Sequence, residues 1–429
     1  MFGFANFLLL ALFAAEVFDL IFALARGGGL RGALHGLWNT PHLLFGQQLA
    51  EWRLQLGRIL FAAGLAAYEI SVVFCNSMAR QNWAWVQGVM SPVLEWLAFL
   101  CFGAKILFGT RYTWRELLAG GALYFIARWV YFNSQNIWWI GIVVAVLAAK
   151  DVPLRRPLQV YFASGCAAMA VVLALHFAGI VAPDLTSERM GALRGTYGYG
   201  HPNTFGGLVF GLVLAYALLR AQKVRWVDCL LVFAVGVFLL VGPASRSAAL
   251  CTLALAVGLV FCRLRTGHSV PRWWPGTCAG MVGLTAAVSY LLPLLVIKVG
   301  PWNNDIGPAW LAKLDSLLTC RISLTWMAYR LLDVKIAGQV FNWPTVDNSF
   351  AFALFQFGPV VAALLGILFA AALWGHAKQG RRVEVCCLFA MLAYAYMEVQ
   401  PFHLTTNPTA LLLCGAVFAQ TSARWQKIE

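Results

Sequence analysis

The chain has 429 residues, 61% hydrophobic and only 11% charged, against roughly 45–50% and 25% in a soluble globular domain. That much apolar surface excludes a water-soluble fold and disorder alike. Apolar stretches near the ~20 residues of a membrane-crossing helix argue against the ~10-residue alternation of a barrel. The formal net charge of +14 does not point to nucleic acid, because the basic residues sit in short clusters between apolar stretches, where they act as topology signals.

In chain order, the first apolar stretch, 4–25, carries Glu16 and Asp19 and has no basic start, so it reads as a retained span rather than a cleaved signal. Residues 42–57 (HLLFGQQLAEWRLQLG) read as an interfacial amphipathic helix. Spans follow at 59–79, 88–109, 116–132 (which contains Arg128), a short 136–149, and 158–182. Beyond a connection at 183–203 come 204–221, 226–243, 247–262 and 277–299, then a long connection at 300–347 and spans at 348–375, 383–399 and 406–421. The expected fold is all-α, a polytopic transmembrane helical bundle of about 12–14 spans forming one integral membrane domain over residues 1–429. Most of the 11 cysteines lie inside apolar stretches without a CxxC pair, which indicates neither a disulfide framework nor a metal cage.

Lysines and arginines set the orientation. Arg53/Arg58, Arg111/Arg115, Lys150/Arg155/Arg156, Lys223/Arg225, Arg263/Arg265/Arg272, Lys378/Arg381/Arg382 and Arg424/Lys427 occupy alternate connections, which marks that side as cytoplasmic. Trp83/Trp85 and Trp138/Trp139 suit the aromatic belt of the opposite side, where the connections 183–203 and 300–347 also fall. Polar residues concentrate there in Arg194–Asn203 (RGTYGYGHPN), Pro243–Arg246 (PASR), Cys320–Trp326 (CRISLTW) with Val346–Phe350 (VDNSF), and Glu398–His403 (EVQPFH) with Asn407.

Arginines on that face oppose the positive-inside bias. A guanidinium presents a planar fork of donors that matches phosphate oxygens, so Arg194, Arg246 and Arg321 are candidate diphosphate ligands, the alternative for each being a lipid headgroup contact or a helix-end cap. Asn203 is placed to cap the following helix, and His201 reads as a base, a sugar contact or a satisfied interfacial histidine. Asp347 is the candidate general base, with helix capping near Asn348 as its alternative. Glu398 ends a span and needs a partner, which one of the arginines can supply. Asp305, Asp315 and Asp333 are too dispersed for a divalent-ion site, so no metal or cofactor is expected. Glu16, Glu69, Glu95 and Arg128 inside apolar stretches keep open a different class, a flippase or proton-coupled transporter, although no repeated halves are visible.

At these residues the chain resembles the bacterial O-antigen polymerase and ligase superfamily, and within it the Wzy-type polymerases of polysaccharide repeat units. The likeness rests on R...GYGHPNTFG, the SR turn, CRISLTW...VDNSF and MEVQPFHLTTNP, in order over roughly residues 190–415. It implies a GT-C-like glycosyltransferase acting on an undecaprenyl-diphosphate-linked oligosaccharide at the outer face of the cytoplasmic membrane, with membrane lipid and a chain-length regulator as further partners. By the same likeness Arg194 and Arg321 match donor-diphosphate arginines. Asp347 stands where ligase members carry a histidine before the equivalent of Asn348, a departure that favours the polymerase branch. Arg246, His201, Asn203, Asn348, Glu398 and His403 are the expected substrate-binding set. A ligase that passes finished glycan to another acceptor is the sister reading.

Overall fold

The computed structural model describes residues 2–25, 30–46, 48–181, 187–189, 192–265, 269–296 and 307–418. Asp305, Arg424 and Lys427 lie outside the described residues. Among those described, seven helical segments are long and apolar enough to cross a membrane: Ala50–Cys75, Val86–Phe108, Arg155–Phe177, Pro202–Leu219, Arg246–Leu264, Trp274–Leu295 and Pro359–Lys378. The protein is therefore a multi-pass helical membrane protein. The chain gathers into two compact units, one of Met1–Arg128, Ile140–Ala182 and Ala410–Glu429, the other of Trp129–Trp139 and Pro183–Thr409.

The first unit contains α1 (Phe2–Ala25), α2 (Leu30–Asn39), α3 (Ala50–Cys75), the single turn α4 (Ala79–Asn82), α5 (Ser91–Phe108, preceded by a π-turn Val86–Met90), most of α6 (Trp114–Ser134) and α7 (Ile137–Ala148), and α8 (Arg155–Phe177). Its centre is α3, which packs on α5 and α8. The expected interfacial helix at 42–57 does not form. Residues 42–43 instead make β1, paired antiparallel with β2 (Arg111–Tyr112) in the register His42↔Tyr112, and 50–57 become the first turns of α3. No proline interrupts residues 50–75, so the helix propagates through them. Beside the ribbon lies a sealed ionic network. Lys105 Nζ donates to Thr110 Oγ1 at 2.6 Å and to the Lys150 carbonyl. Lys150 Nζ sits 3.2 Å from Glu116 and 3.5 Å from Asp151 and lies over the rings of Tyr112 and Phe418.

In the second unit, β3 (Ser187–Arg189) and β4 (Ala192–Arg194) form a hairpin that ends at Arg194. Next come α9 (Pro202–Leu219), α10 (Trp226–Val241), α11 (Arg246–Leu264), α12 (Trp274–Leu291), α13 (Ala309–Leu317), α14 (Arg321–Leu331), α15 (Ser349–Phe352), α16 (Pro359–Lys378) and α17 (Arg382–Met397). Helix α9 is the most enclosed of the seven candidate spans and packs against α10, α11 and α17, while α12 packs on α16. The long connection is thus partly helical, holding α13 and α14.

Among the described residues the seven candidates are fewer than the expected 12–14 for identifiable reasons. The stretch 348–375 is not one helix: α15 runs into a π-turn, Ala353–Phe357, and the chain breaks at Gly358, whose φ of 88° suits glycine before α16 starts at Pro359. Within 406–421, the described residues form a tight 3-10 stretch, Pro408–Leu413, followed by the single helical turn Cys414–Val417. Helices α7, α10 and α17 have 12, 16 and 16 residues, shorter than the ~20 a full crossing needs. Helix α6 is long enough but carries Arg115, Glu116 and Arg128.

Candidate functional site

The polar stretches from four parts of the chain meet at one end of the second unit. Their hub is Glu398, the residue that ends α17, with 5% of its surface exposed. Its Oε1 accepts from Arg321 Nη2 at 2.5 Å, Ser247 Oγ at 2.8 Å and Asn203 Nδ2 at 3.1 Å. Asn203 Oδ1 in turn accepts from Arg194 Nη2 at 2.9 Å and Ser245 Oγ at 3.5 Å, and Arg194 also donates to the Ala244 carbonyl at 3.3 Å. Past Arg321, Asp347 Oδ2 lies 3.9 Å from Nε. Arg194, Asn203, Glu398, Arg321 and Asp347 therefore form one continuous chain of polar contacts.

Arg321 is held by all of its donors. Nε donates to the Met397 carbonyl, Nη1 to the Leu318 carbonyl at 2.9 Å and to Thr319 Oγ1, and Nη2 to Glu398 and Ser247. A guanidinium has five N–H groups, and here each has a protein partner, so Arg321 offers its charge rather than a vacant fork. Its placement comes from Asp315, buried on α13, whose carboxylate accepts from the backbone N–H of Ile322 and Ser323 at 2.7 and 3.2 Å and from Ser323 Oγ at 2.8 Å. Those are first-turn N–H groups of α14 that no residue within the helix can satisfy.

Local sequence explains the remaining positions. Helix α9 is capped by His201, whose Nδ1 accepts from the Asn203 N–H at 3.1 Å. The expectation that Asn203 is the cap is therefore corrected: Pro202, with φ already set for a helix, takes the first position and starts α9 two residues early. Asn203 is left facing Arg194 and Glu398. The cap of α15 is Asn348, whose Oδ1 accepts from Phe350 and Ala351 N–H at 2.9 and 3.1 Å. Capping was the alternative role for Asp347, and it falls to its neighbour. Asn348 Nδ2 is spent on Ser289 and the Tyr396 carbonyl, so this residue builds the frame rather than presenting itself to a ligand.

A second hub is Gln400. It accepts from Tyr394 O–H at 2.7 Å and donates to the Asn203 carbonyl at 3.1 Å, tying the start of α9 to the segment after α17. Gly207 makes this possible, because a Cβ there would stand 1.8 Å from Gln400 Oε1. Ser247 was not named from sequence, Ser245 and Gln400 entered only as members of the PASR and EVQPFH stretches, and Asp315 only as one of the dispersed acids. Serines and glutamines in apolar stretches are common, and nothing in their spacing marks the contacts they make. His403 stands outside the polar chain: its ring lies 3.7 Å from that of Trp138, and burial pushes its imidazole down to about 3.

One end of the chain of contacts, at Asp347, is open, whereas Arg194 at the other end is buried. Asp347 keeps 30% of its side chain exposed, and Arg246, the first residue of α11, is exposed. Helices α9, α11 and α14 all begin at this network, and their N-terminal dipoles favour negative charge there. The arrangement can hold an anion beside an accessible carboxylate. Among the described residues, the grouping of carboxylate and imidazole donors close enough for one metal is Glu16, Asp19 and His42 of the first unit, none of which belongs to this network. Compared with family models, curated proteins and solved structures, the chain matches none.

Proposed function

We propose that the protein is a polysaccharide polymerase that transfers a glycan from undecaprenyl diphosphate to a sugar hydroxyl on a second lipid-linked repeat unit, at the outer face of a bacterial cytoplasmic membrane. The observation that carries this reading is the joining of Arg194, Asn203, Glu398, Arg321 and Asp347 into one network that is buried at its centre and open at Asp347. Arg194 and the exposed Arg246 hold the diphosphate, with Arg321 adding positive charge from within. The acceptor hydroxyl oxygen bonds to the anomeric carbon, its proton passes to the Asp347 carboxylate, and the bond from that carbon to the phosphate oxygen breaks with inversion. The electron pair leaves on undecaprenyl diphosphate, whose charge the arginines and helix N-termini stabilise. Arginine charge takes here the part a divalent ion has in other diphosphate-handling sites.

The test is reconstitution with a defined lipid-linked repeat unit. Wild type should give a ladder of products. Arg194→Ala and Arg321→Ala should leave single units on the lipid. Asp347→Asn should cut the rate by about 100-fold or more, the usual scale of general-base loss, with little change in melting temperature because the group is only loosely paired. Unchanged ladders from Asp347→Asn and Arg194→Ala would overturn the assignment. A lipid A core acceptor offered in parallel separates a polymerase from a ligase.

A further inference from the structure

The first unit contains a cluster that the proposed reaction does not use. Glu16 and Asp19, three residues apart on α1, share one face of the helix, and His42 approaches them from the β1 ribbon. One donor atom from each lies within 4.8 Å of the others. The loop carrying His42 is fixed from several directions. Asp19 accepts from the backbone N–H of Phe45 and Gly46 at 3.1 and 3.0 Å. Arg53 donates to the carbonyls of Gly46 and Leu44 at 2.8 and 2.5 Å, and His42 is in register with Tyr112 across the ribbon.

Two details point beyond an acidic patch. His42 Nδ1 lies 3.2 Å from the Thr40 carbonyl. A proton on Nδ1, donated to that carbonyl, puts the ring's lone pair on Nε2, the arrangement a backbone carbonyl imposes on metal-binding histidines. That Nε2 and both Glu16 carboxylate oxygens are buried atoms with no hydrogen-bond partner. Nε2 and Glu16 Oε1 stand 3.5 Å apart, too long for a charge-assisted hydrogen bond of ~2.7–2.9 Å. It is close to the ~3.4 Å edge between two ligands each ~2.1 Å from a tetrahedral ion.

We infer that Glu16, Asp19 and His42 bind a divalent transition-metal ion of the zinc class, two carboxylates and one imidazole being a donor set that suits such borderline ions. The ion offsets the two carboxylates on an otherwise apolar helix and fastens α1 to the ribbon. Its role is structural, and it stands independently of the polymerase reading.

The test uses the full-length protein, purified in detergent and stripped with chelator, titrated with Co2+ as a spectroscopic probe and then with Zn2+ in competition. Wild type should take up one equivalent of Co2+ with visible d–d bands that Zn2+ displaces, and Zn2+ should raise its melting temperature. Glu16→Gln, which keeps size and shape, and His42→Ala should each weaken binding by about tenfold or more, while His35→Ala, an exposed histidine of α2, should not. Wild type without saturable one-site uptake, or equal affinity in wild type and Glu16→Gln, would overturn the inference and leave an imidazolium–carboxylate pair. Should His42→Ala fail to fold, Glu16→Gln still decides.

Discussion

Each unit of the protein contains a buried ionic network, and the two are built differently. In the first, Lys105 and Lys150 are almost wholly enclosed, their charges spent on Glu116, Asp151, a threonine hydroxyl, a backbone carbonyl and two aromatic rings. In the second, arginines replace lysines, and the contacts run from the buried Glu398 out to Asp347, which is partly exposed. Arginine's fixed fork can serve several acceptors at once, whereas an ammonium is a compact point charge. A closed network specifies a fold, and one with an open end can meet a substrate. A buried charge in an apolar chain becomes evidence of function only when the path from it leads outward.

The two networks diverge most at Glu398. Glu398→Ala removes the acceptor for Arg321, Ser247 and Asn203 together and leaves a buried guanidinium with only the distant Asp347 as counter-charge, which should cost about 3–5 kcal/mol, read as a large fall in melting temperature with loss of polymer. Glu398→Gln, which retains a carbonyl acceptor, should lose less stability. A smaller effect is expected in the first unit. Lys150→Met alone should cost about 1–3 kcal/mol, because Glu116 keeps its bonds to the N–H and hydroxyl of Thr113. Lys150→Met with Glu116→Gln, which removes the stranded carboxylate charge but keeps a carbonyl acceptor for Thr113, should recover part of that loss with polymerisation unchanged. Loss of polymer in a stable double variant would show that the first network is not merely structural.

How much of this was legible before folding depends on the residue type. Arginines on the side that the topology leaves poor in positive charge, and a glutamate ending an apolar span, stand out because burial makes each of them costly, so Arg194, Arg321 and Glu398 were visible in the sequence. Asn203 was visible but its role was misread, since Pro202 moved the start of α9 and gave the capping to His201. Asp315 was seen only as one of several scattered acids, because its partners are backbone N–H groups of a helix that hydropathy does not reveal. Hydropathy locates apolar stretches but not helix continuity, which is why the stretch interrupted at Gly358 and the 16-residue α10 and α17 were read as spans, whereas 136–149, read as short, forms the 12-residue α7. The assignment of Trp129–Trp139 to the second unit is a tertiary fact that no local pattern encodes.

The smallest effect belongs to His403, beside the network but outside it. Burial holds its imidazole at about 3, below the ordinary value of 6.5, so the folded protein keeps it neutral while the unfolded chain protonates it below that ordinary value. Between these limits the unfolded state binds more protons, and stability must rise with pH. His403 therefore makes the melting temperature fall as pH drops from the ordinary histidine range toward 3, and contributes no slope above that range. His403→Phe, which keeps an aromatic ring against Trp138, should flatten this acid limb without altering the ladder of products at neutral pH. An unchanged acid limb would mean that the imidazole protonates in place. His403 would then belong with the open end of the network, where water and charge are admitted, and not with the apolar packing around Trp138.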